Sequence, residues 1–144
     1  MINELVELKC NVDDMTGEEI SFAMDMLFSA GALDVYTFPV GMKKSRTGTL
    51  ISVTCKKEDK EAMIGAIFKY TTTIGVKEYS VIGHAMEREI EEVETLLGTV
   101  RKKTSRGYGT ERVKYEFDDV SRIARENGIS FGEALEAIKT EKHE

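Results

Sequence analysis

The sequence is poor in residues that build disulfides or soft metal sites. Its 144 residues include two cysteines, Cys10 and Cys55, and two histidines, His84 and His143. No Cys-x-x-Cys motif or Cys/His cluster brings them together, which argues against a zinc or an iron–sulfur site. Each cysteine alternates with apolar residues in a strand-like segment, so we expect both thiols to be buried in the core.

Long apolar runs and breaks in the chain are missing as well. No apolar run approaches the ~20 residues that a membrane-spanning helix needs, and Glu4 and Glu7 interrupt any apolar leader at the N-terminus. Proline occurs once, as Pro39, and there is no repeat, low-complexity tract or long linker. We therefore expect a cytoplasmic protein without a membrane partner.

Positive charge is in the minority. The formal net charge of −6 at pH 7 argues against a nucleic-acid partner, because nucleic-acid-binding proteins present a basic face. The basic residues are nevertheless clustered, at 43–46 and 101–106, which leaves small anionic ligands open. With 41% hydrophobic and 32% charged residues, the composition is that of an ordinary globular protein.

The periodicity of residues 1–90 predicts an α+β fold. Strand and helix patterns follow one another as βαββαβ, over residues 3–12, 16–30, 34–40, 48–56, 58–72 and 76–88. This order predicts a ferredoxin-like domain with two right-handed crossovers over one sheet. We expect its first and third strands to be parallel neighbours, which would place Asn11–Asp14 beside Cys55–Lys56.

Residues 91–144 predict a small C-terminal block of a β-hairpin and two helices. Residues 93–104 and 110–117 alternate weakly around the glycine-rich segment 105–109, as in a hairpin. We expect the residues at 118 and 119, both aspartates, to cap a helix that ends at Asn127-Gly128. Ser130 and Glu133 then form a capping box for the last helix.

Oxygen-bearing side chains are concentrated at one strand-to-helix turn. Thr16 and Glu19 form a capping box there, so a helix begins at Thr16. Carboxylate and amide oxygens suit a hard divalent cation that keeps several waters and is shared with a phosphate. The alternative is an ordinary helix start, where the macrodipole favours acids in any protein. The candidate metal ligands are Asn11, Asp13, Asp14 and Glu18.

Two further segments carry candidate phosphate ligands. Lys43, Lys44 and Arg46 lie between two glycines, and Lys and Arg neutralise phosphate oxygens. The alternative for this segment is a solvated hairpin tip. The triplet 71–73 consists of three threonines followed by Gly75, and its alternative is a plain helix C-terminus. Together with the acids, the cations form the set of groups that binds a metal–triphosphate.

Four blocks in this order resemble the C-terminal domain of the nickel insertion protein for the nickel-pincer nucleotide cofactor of lactate racemase. They are Asn11–Glu19, Ala30–Val35, Met42–Leu50 and Thr71–Val76. The Arg88-Glu89 pair resembles the family in the same way. Where the family tends to carry a Lys-Pro-Glu-Tyr-like run, this chain has Lys114-Tyr115-Glu116-Phe117 and departs from it.

The resemblance implies a CTP-dependent nickel insertase. Such a protein uses CTP with Mg²⁺ or Mn²⁺, cleaves the triphosphate and places nickel, the substrate metal, into a pyridinium bisthiocarboxylic acid mononucleotide. It assigns no catalytic residue. It implies a separate N-terminal domain or chain as a partner, and a homo-oligomer with nucleotide near a subunit boundary. The implied nucleotide or phosphate ligands are Lys43, Lys44, Arg46, Thr71, Thr72, Thr73 and Arg88.

Two other classes of protein stay open on the sequence. One is a regulatory module that binds a nucleotide without cleaving it, because a fold does not fix a function. The other is an oligomerisation domain, with the apolar pair Phe22 and Met26 as its interface. Consumption of CTP distinguishes the insertase from the first class, and absence of nucleotide affinity marks the second.

Overall fold

The computed structural model describes residues 2–141, and the chain divides into two compact units between His84 and Ala85. Each unit combines one antiparallel sheet with two helices. In the part of the chain that is described, no helix has the length and apolar character that crossing a membrane would require. The elements of the first unit are β1 (Ile2–Val12), α1 (Gly17–Ser29), β2 (Asp34–Gly41), β3 (Thr47–Lys56), α2 (Lys60–Tyr70) and β4 (Lys77–His84).

The first unit has the predicted ferredoxin-like βαββαβ order, with the strands arranged β2-β3-β1-β4. All neighbouring strands are antiparallel, so the prediction that β1 and β3 are parallel was wrong. Each crossover joins two parallel strands that have another strand between them, and neighbours must then run in opposite directions. Val12 therefore lies opposite Thr49, and the end of β1 adjoins the start of β3 instead of Cys55–Lys56.

The alternation of β1 decides which face of the sheet meets the helices. Its even-numbered residues from Val6 to Val12 are buried, and they pack with Leu27 of α1 and with Met63 and Ile67 of α2. Burying one such side chain contributes about 1.5–3 kcal/mol. Cys10 and Cys55 are free thiols inside this core, as the sequence predicted. The odd-numbered residues of β1 lie on the other face, which we call the far face.

Local signals set both ends of α1. The Thr16 hydroxyl accepts a bond from the Glu19 amide (3.2 Å), and the Glu19 carboxylate accepts one from the Thr16 amide (2.8 Å). This is the predicted capping box, which satisfies two amides that lack helical partners. At the other end Gly31 adopts a φ of +105°, a conformation that L side chains rarely adopt.

The second unit has three strands where the sequence predicted two. They follow in the order β5 (Glu87–Thr95), β6 (Gly98–Gly107) and β7 (Thr110–Tyr115). The predicted strand 76–88 ends at His84, and the predicted strand 93–104 is interrupted by a turn. The Thr95 hydroxyl donates to the Gly98 carbonyl (2.6 Å), and Gly98 has a φ of +125°. This two-residue turn hides within a weak alternation pattern, because its flanking residues keep strand-like character.

Two helices, α3 (Phe117–Asn127) and α4 (Phe131–Thr140), complete the second unit. The predicted cap by Asp118 or Asp119 was wrong, because Glu116 occupies the N-cap position and makes no side-chain cap bond. Gly128 ends α3 with a φ of +62°, and the Ser130 capping box begins α4, both as predicted.

Candidate functional site

Three segments that the sequence singled out meet at the carboxyl end of β1. These are the acidic turn after β1, the basic turn before β3 and the threonine segment after α2. An Arg46 guanidinium nitrogen lies 3.6 Å from Oδ2 of Asp13, and the Thr72 hydroxyl donates a hydrogen bond to Oδ1 of Asp14. The antiparallel pairing of β1 with β3 brings the first two together, and the crossover through α2 adds the third.

The basic turn has an unusual backbone. Lys44 and Ser45 have φ values of +61° and +58°, a region that non-glycine residues enter at a cost of about 1–3 kcal/mol each. The Met42 amide donates to the Arg46 carbonyl (2.7 Å) and closes the turn. The turn therefore holds its cations, Lys43 and Lys44 among them, on exposed positions at the end of a hairpin.

Gly48 allows this turn to pack against the end of β1. A Cβ atom at position 48 would overlap the Met42 sulfur and would lie 2.8 Å from the Val12 carbonyl oxygen. Any side chain there would push the basic turn away from the acidic one. The glycine thus brings the cations close to the carboxylates, and Met42 forms part of the packing between them.

The three threonines have different roles. The Thr71 hydroxyl is buried and donates to the Ile67 carbonyl (2.8 Å), where it ends α2. The Thr73 hydroxyl donates to the Gly75 carbonyl (2.8 Å) and shapes the next turn. Thr72 alone of the three contacts a predicted metal ligand, Asp14. A phosphate role for Thr71 and Thr73 stays a prediction.

The acidic residues do not form a ready-made metal cage. Across residues 2–141, no three His, Cys, Asp or Glu side chains are grouped so that they could hold one ion. Asp13 faces Arg46, and Asp14 faces Thr72. This set fits Mg²⁺ or Mn²⁺ held by one or two carboxylates, with waters and phosphate oxygens as the remaining ligands. A metal role for Asp13 and Asp14 stays a prediction.

Three adjoining clefts surround the end of β1. The central one, which we call the acidic cleft, has a volume of about 310 Å³ and is lined in part by Asn11, Asp13, Asp14, Met42, Thr72 and Thr73. The helix cleft has a volume of about 520 Å³ and is lined in part by Asp14, Glu18, Phe22, Tyr70 and Thr72. The lysine cleft has a volume of about 390 Å³ and is lined in part by Lys9, Asn11, Leu50, Ile74, Lys77 and Tyr79. Each outer cleft shares residues with the central one.

The helix cleft adds an aromatic wall of Phe22 and Tyr70, which the sequence analysis had not assigned to the site. Phe22 is 59% exposed, and its ring meets the Tyr70 ring edge to face at a centroid distance of 6.3 Å. Phe22 lies one helical turn after Glu18, so both can line one cleft. That spacing was the available signal for Phe22. Tyr70 could be found only from the packing of α2 against α1.

Burial makes both cysteine thiols harder to deprotonate, because it raises their pKa. Burial raises the pKa of the Cys10 thiol, and hydrogen bonds with Thr73 and Thr71 oppose that shift only in part. Burial also raises the pKa of the Cys55 thiol, and nearby Asp59 adds to the effect. Metal binding by a thiol requires its deprotonation, so the raised pKa values disfavour Cys10 and Cys55 as nickel ligands.

The contacts described above lie within residues 2–84, and Arg88 is in the other unit. It lies on β5 of the second unit, exposed and opposite Ser105. Its assignment to the nucleotide therefore stays a prediction. In the departing segment, Tyr115 packs against the core of the second unit, and Phe117 stacks on Phe131 with a centroid distance of 5.4 Å.

Comparison with known proteins identifies the family. The family described as "Nickel insertion protein" matches residues 2–135 of the chain. The chain belongs to the nickel insertion protein family.

Members of the nickel insertion family from several bacteria match most of the chain. The pyridinium-3,5-bisthiocarboxylic acid mononucleotide nickel insertion protein of Acetivibrio thermocellus is 36% identical over 136 residues, which is 94% of this chain and 33% of that protein. The protein of the same name from Alkaliphilus metalliredigens is 37% identical over 94% of this chain and 32% of its own length. This chain thus spans about a third of the length of these relatives.

Solved structures give the same family fold. LarC2, described as the C-terminal domain of a cyclometallase involved in the synthesis of the NPN cofactor of lactate racemase, has a TM-score of 0.87 and 31% identity. The match covers 97% of this chain and all of that domain. Protein MK0293 from Methanopyrus kandleri has a TM-score of 0.71 at 24% identity, which shows the fold alone.

Proposed function

We propose that this chain forms the nucleotide-binding part of a nickel insertase. In this proposal it binds CTP with Mg²⁺ or Mn²⁺, the triphosphate is cleaved, and nickel enters a pyridinium-3,5-bisthiocarboxylic acid mononucleotide. The observation that carries the proposal is the meeting of Asp13 with Arg46 and of Asp14 with Thr72. The names of the relatives support the substrate and the metal.

The site provides separate places for a triphosphate and its cation. Lys43, Lys44 and Arg46 belong to the exposed basic turn, whose Arg46 faces Asp13, and can neutralise phosphate oxygens. Asp13 and Asp14 line the acidic cleft and can hold the cation directly or through water. A divalent ion bound there would offset the charge that develops on the oxygens of the breaking phosphoryl bond.

In the free protein, Arg46 is only loosely paired with Asp13. Its guanidinium lies 3.6 Å from Asp13 and makes no short hydrogen bond with it, and the Arg46 side chain is 62% exposed. Such a surface ion pair contributes little to stability. When a metal cation binds the Asp13 carboxylate, Arg46 loses this partner. Its guanidinium can then bind a phosphate. The loose pair is thus suited to exchanging partners when a metal–triphosphate arrives.

Nickel requires ligands beyond this part of the chain. Both thiols are buried in the core, and the described residues hold no cluster of His, Cys, Asp and Glu for it. The sulfurs of the bisthiocarboxylic acid can supply soft ligands for nickel. We infer that a separate N-terminal domain or chain delivers the metal, since the relatives are about three times longer than this chain.

A nucleotide panel tests the proposal. Binding of CTP, UTP, ATP and GTP would be measured by calorimetry with and without Mn²⁺, followed by assay of phosphate or pyrophosphate release. The proposal predicts metal-dependent binding with preference for CTP, and consumption of CTP in the presence of the pincer mononucleotide and nickel. Binding without consumption under those conditions would indicate the regulatory module. No nucleotide affinity would indicate the oligomerisation domain.

We also propose a homo-oligomer with the helix cleft near a subunit boundary. Phe22, which is 59% exposed, is an apolar side chain on the rim of a nucleotide-sized cleft. Phe22→Glu is expected to yield a folded monomer that no longer binds CTP, and Asp25→Glu on the same helix is the matched control. Sedimentation velocity at micromolar concentration decides it. A monomeric wild-type chain, with and without CTP and Mn²⁺, would contradict the proposal.

A further inference from the structure

The lysine cleft holds two like charges in direct opposition. In the pairing of β1 with β4, Lys9 lies opposite Lys77, and both belong to the far face of the sheet. Like charges at directly opposed positions of an antiparallel pair are unfavourable. No ion pair among the described residues involves Lys77, whereas Lys9 lies 3.7 Å from Glu7. An anion between the two ammonium groups would remove the repulsion.

Glu7 is not the anion that neutralises both Lys9 and Lys77. Its Oε1 accepts hydrogen bonds from the Tyr36 hydroxyl (2.5 Å) and the Ser52 hydroxyl (3.0 Å). These bonds fix the carboxylate beside β3, on the side of β1 away from Lys77. Glu7 therefore anchors Lys9 from one side only, and the Lys77 side of the pair stays open.

An aromatic and apolar wall lies beside the two cations. The Lys9 ammonium is 5.3 Å from the centroid of the Tyr79 ring, which belongs to the same cleft. Leu50 and Ile74 also line it, and Ile74 is fully exposed. A volume of about 390 Å³ falls within the range of small-molecule sites, roughly 300–1,000 Å³. The cleft therefore suits a flat ring that carries anionic groups.

Its position relates this cleft to the proposed cation. Asn11 and Thr73 line both the lysine cleft and the acidic cleft, so their occupants would lie side by side. A pyridinium mononucleotide matches the lining, since its phosphate and ring carboxylates would meet Lys9 and Lys77. Its cationic ring would meet the face of Tyr79.

We propose that the lysine cleft is the site of the second nucleotide of the reaction, a pyridinium mononucleotide with acidic ring substituents. Lys9 and Lys77 bind its anionic groups, and Tyr79 stacks on its ring. This inference rests on the proposed function, which supplies the reaction and assigns CTP to the neighbouring site. The binding of a pyridinium mononucleotide to the lysine cleft can be measured without CTP.

The test uses nicotinic acid mononucleotide, which has a pyridinium ring with one carboxylate, as the probe. Its affinity for the whole chain would be measured by calorimetry, and the shifts of its ring protons by NMR. Combining Lys9→Ala with Lys77→Ala is expected to weaken binding at least tenfold, and Tyr79→Leu to abolish the upfield shifts of the ring protons. Lys77→Arg should retain binding. Lys56→Ala, at the opposite end of the far face, is the matched control.

Affinity for CTP with Mn²⁺ separates the two proposals. The lysine variants are expected to keep that affinity within twofold, because their cations lie outside the acidic cleft. No binding of the probe to the wild-type chain would overturn the inference, as would equal binding by CMP or a loss of CTP affinity matching that of the probe. A chain that binds the probe through Lys9 and Lys77 but fails to bind CTP would overturn the proposed function and leave this inference standing.

Discussion

Two Asp-Asp pairs lie next to helix starts in this protein, and they differ in how tightly they are held. Asp119 accepts bonds from the Arg101 backbone amide (2.8 Å) and from two guanidinium nitrogens of Arg101 (2.9 and 3.2 Å). Within residues 2–141, the ion pair of Asp13 is with Arg46, at 3.6 Å. The dipeptide at 118–119 thus forms a structural ion pair within the second unit. The dipeptide at 13–14 provides loosely held acids beside a cleft.

The two pairs differ in their long-range contacts and also in their helix starts, because α1 has a capping box and α3 has no side-chain cap. Both helices that begin with a capping box, α1 and α4, use the same Thr or Ser and Glu arrangement. At α1, however, the preceding acids meet a hydroxyl 58 residues away, from Thr72, and a cation that the antiparallel sheet brings near. A candidate site is therefore recognised by what the topology adds to a turn.

The largest effect is expected from removing two cations of the basic turn. Changing both Lys44 and Arg46 to Ala should weaken CTP binding roughly a hundredfold or more, since charge-assisted hydrogen bonds contribute about 1.5–3 kcal/mol each. The Tm should barely change, because the turn is exposed. Calorimetry and thermal unfolding measure the two effects, with a double Ala change at Lys56 and Lys57 as the control. Lost stability with intact binding would mean a structural turn.

The second prediction concerns the tightly held acid, Asp119, whose loss should affect stability and not CTP binding. Asp119→Ala should lower the Tm by a few degrees and leave CTP binding unchanged, because its partner Arg101 belongs to the second unit. Asp118→Ala, at the neighbouring exposed position, is the control. Equal Tm values for the Asp119 and Asp118 variants would show that the ion pair between Asp119 and Arg101 contributes nothing to stability.

The ion pair between Asp119 and Arg101 also predicts that the stability of the protein depends on pH. The Arg101 side chain lowers the pKa of Asp119 below its usual range. A carboxylate with a lowered pKa stabilises the folded state above its unfolded pKa, which is about 3.9. That stabilisation is lost as pH falls through the lower, folded-state pKa. The Tm difference between the wild-type chain and Asp119→Ala should be constant from pH 5 to 7 and disappear in strong acid. A difference that grew on acidification would contradict this assignment.

The smallest effect separates two neighbouring threonines. Thr72→Val should weaken binding of CTP with Mn²⁺ several-fold without a change in Tm, because its hydroxyl orients Asp14. Thr71→Val should lower the free energy of unfolding by about 1 kcal/mol, because its buried hydroxyl bonds to the Ile67 carbonyl. Chemical denaturation and calorimetry on both variants test the pair. Identical behaviour of the two would remove the distinction.

The sequence predicted well what local chemistry decides. The alternation of β1, the capping boxes at Thr16 and Ser130, and the stop at Gly128 are all present. Each depends on residues within a few positions of one another. The βαββαβ order followed from these elements, and with it the ferredoxin-like sheet.

What the sequence missed depends on partners far away in the chain. Asp119 looked like a helix cap, but its partner Arg101 lies 18 residues earlier on β6. The opposition of Lys9 and Lys77 requires the register of β1 with β4. The prediction that β1 and β3 are parallel neighbours was wrong. Their antiparallel pairing brings the acids after β1 closer to the cations before β3 than a parallel pairing would.

The most direct test of the account is the metal dependence of CTP binding at Asp13. Calorimetry would compare the wild-type chain, Asp13→Ala and the matched control Asp25→Ala, which removes an exposed acid from α1. We expect Mn²⁺ to strengthen CTP binding to the wild-type chain and the control, and to have no effect on binding to Asp13→Ala. An Asp13→Ala variant that binds CTP with the full Mn²⁺ dependence would contradict it.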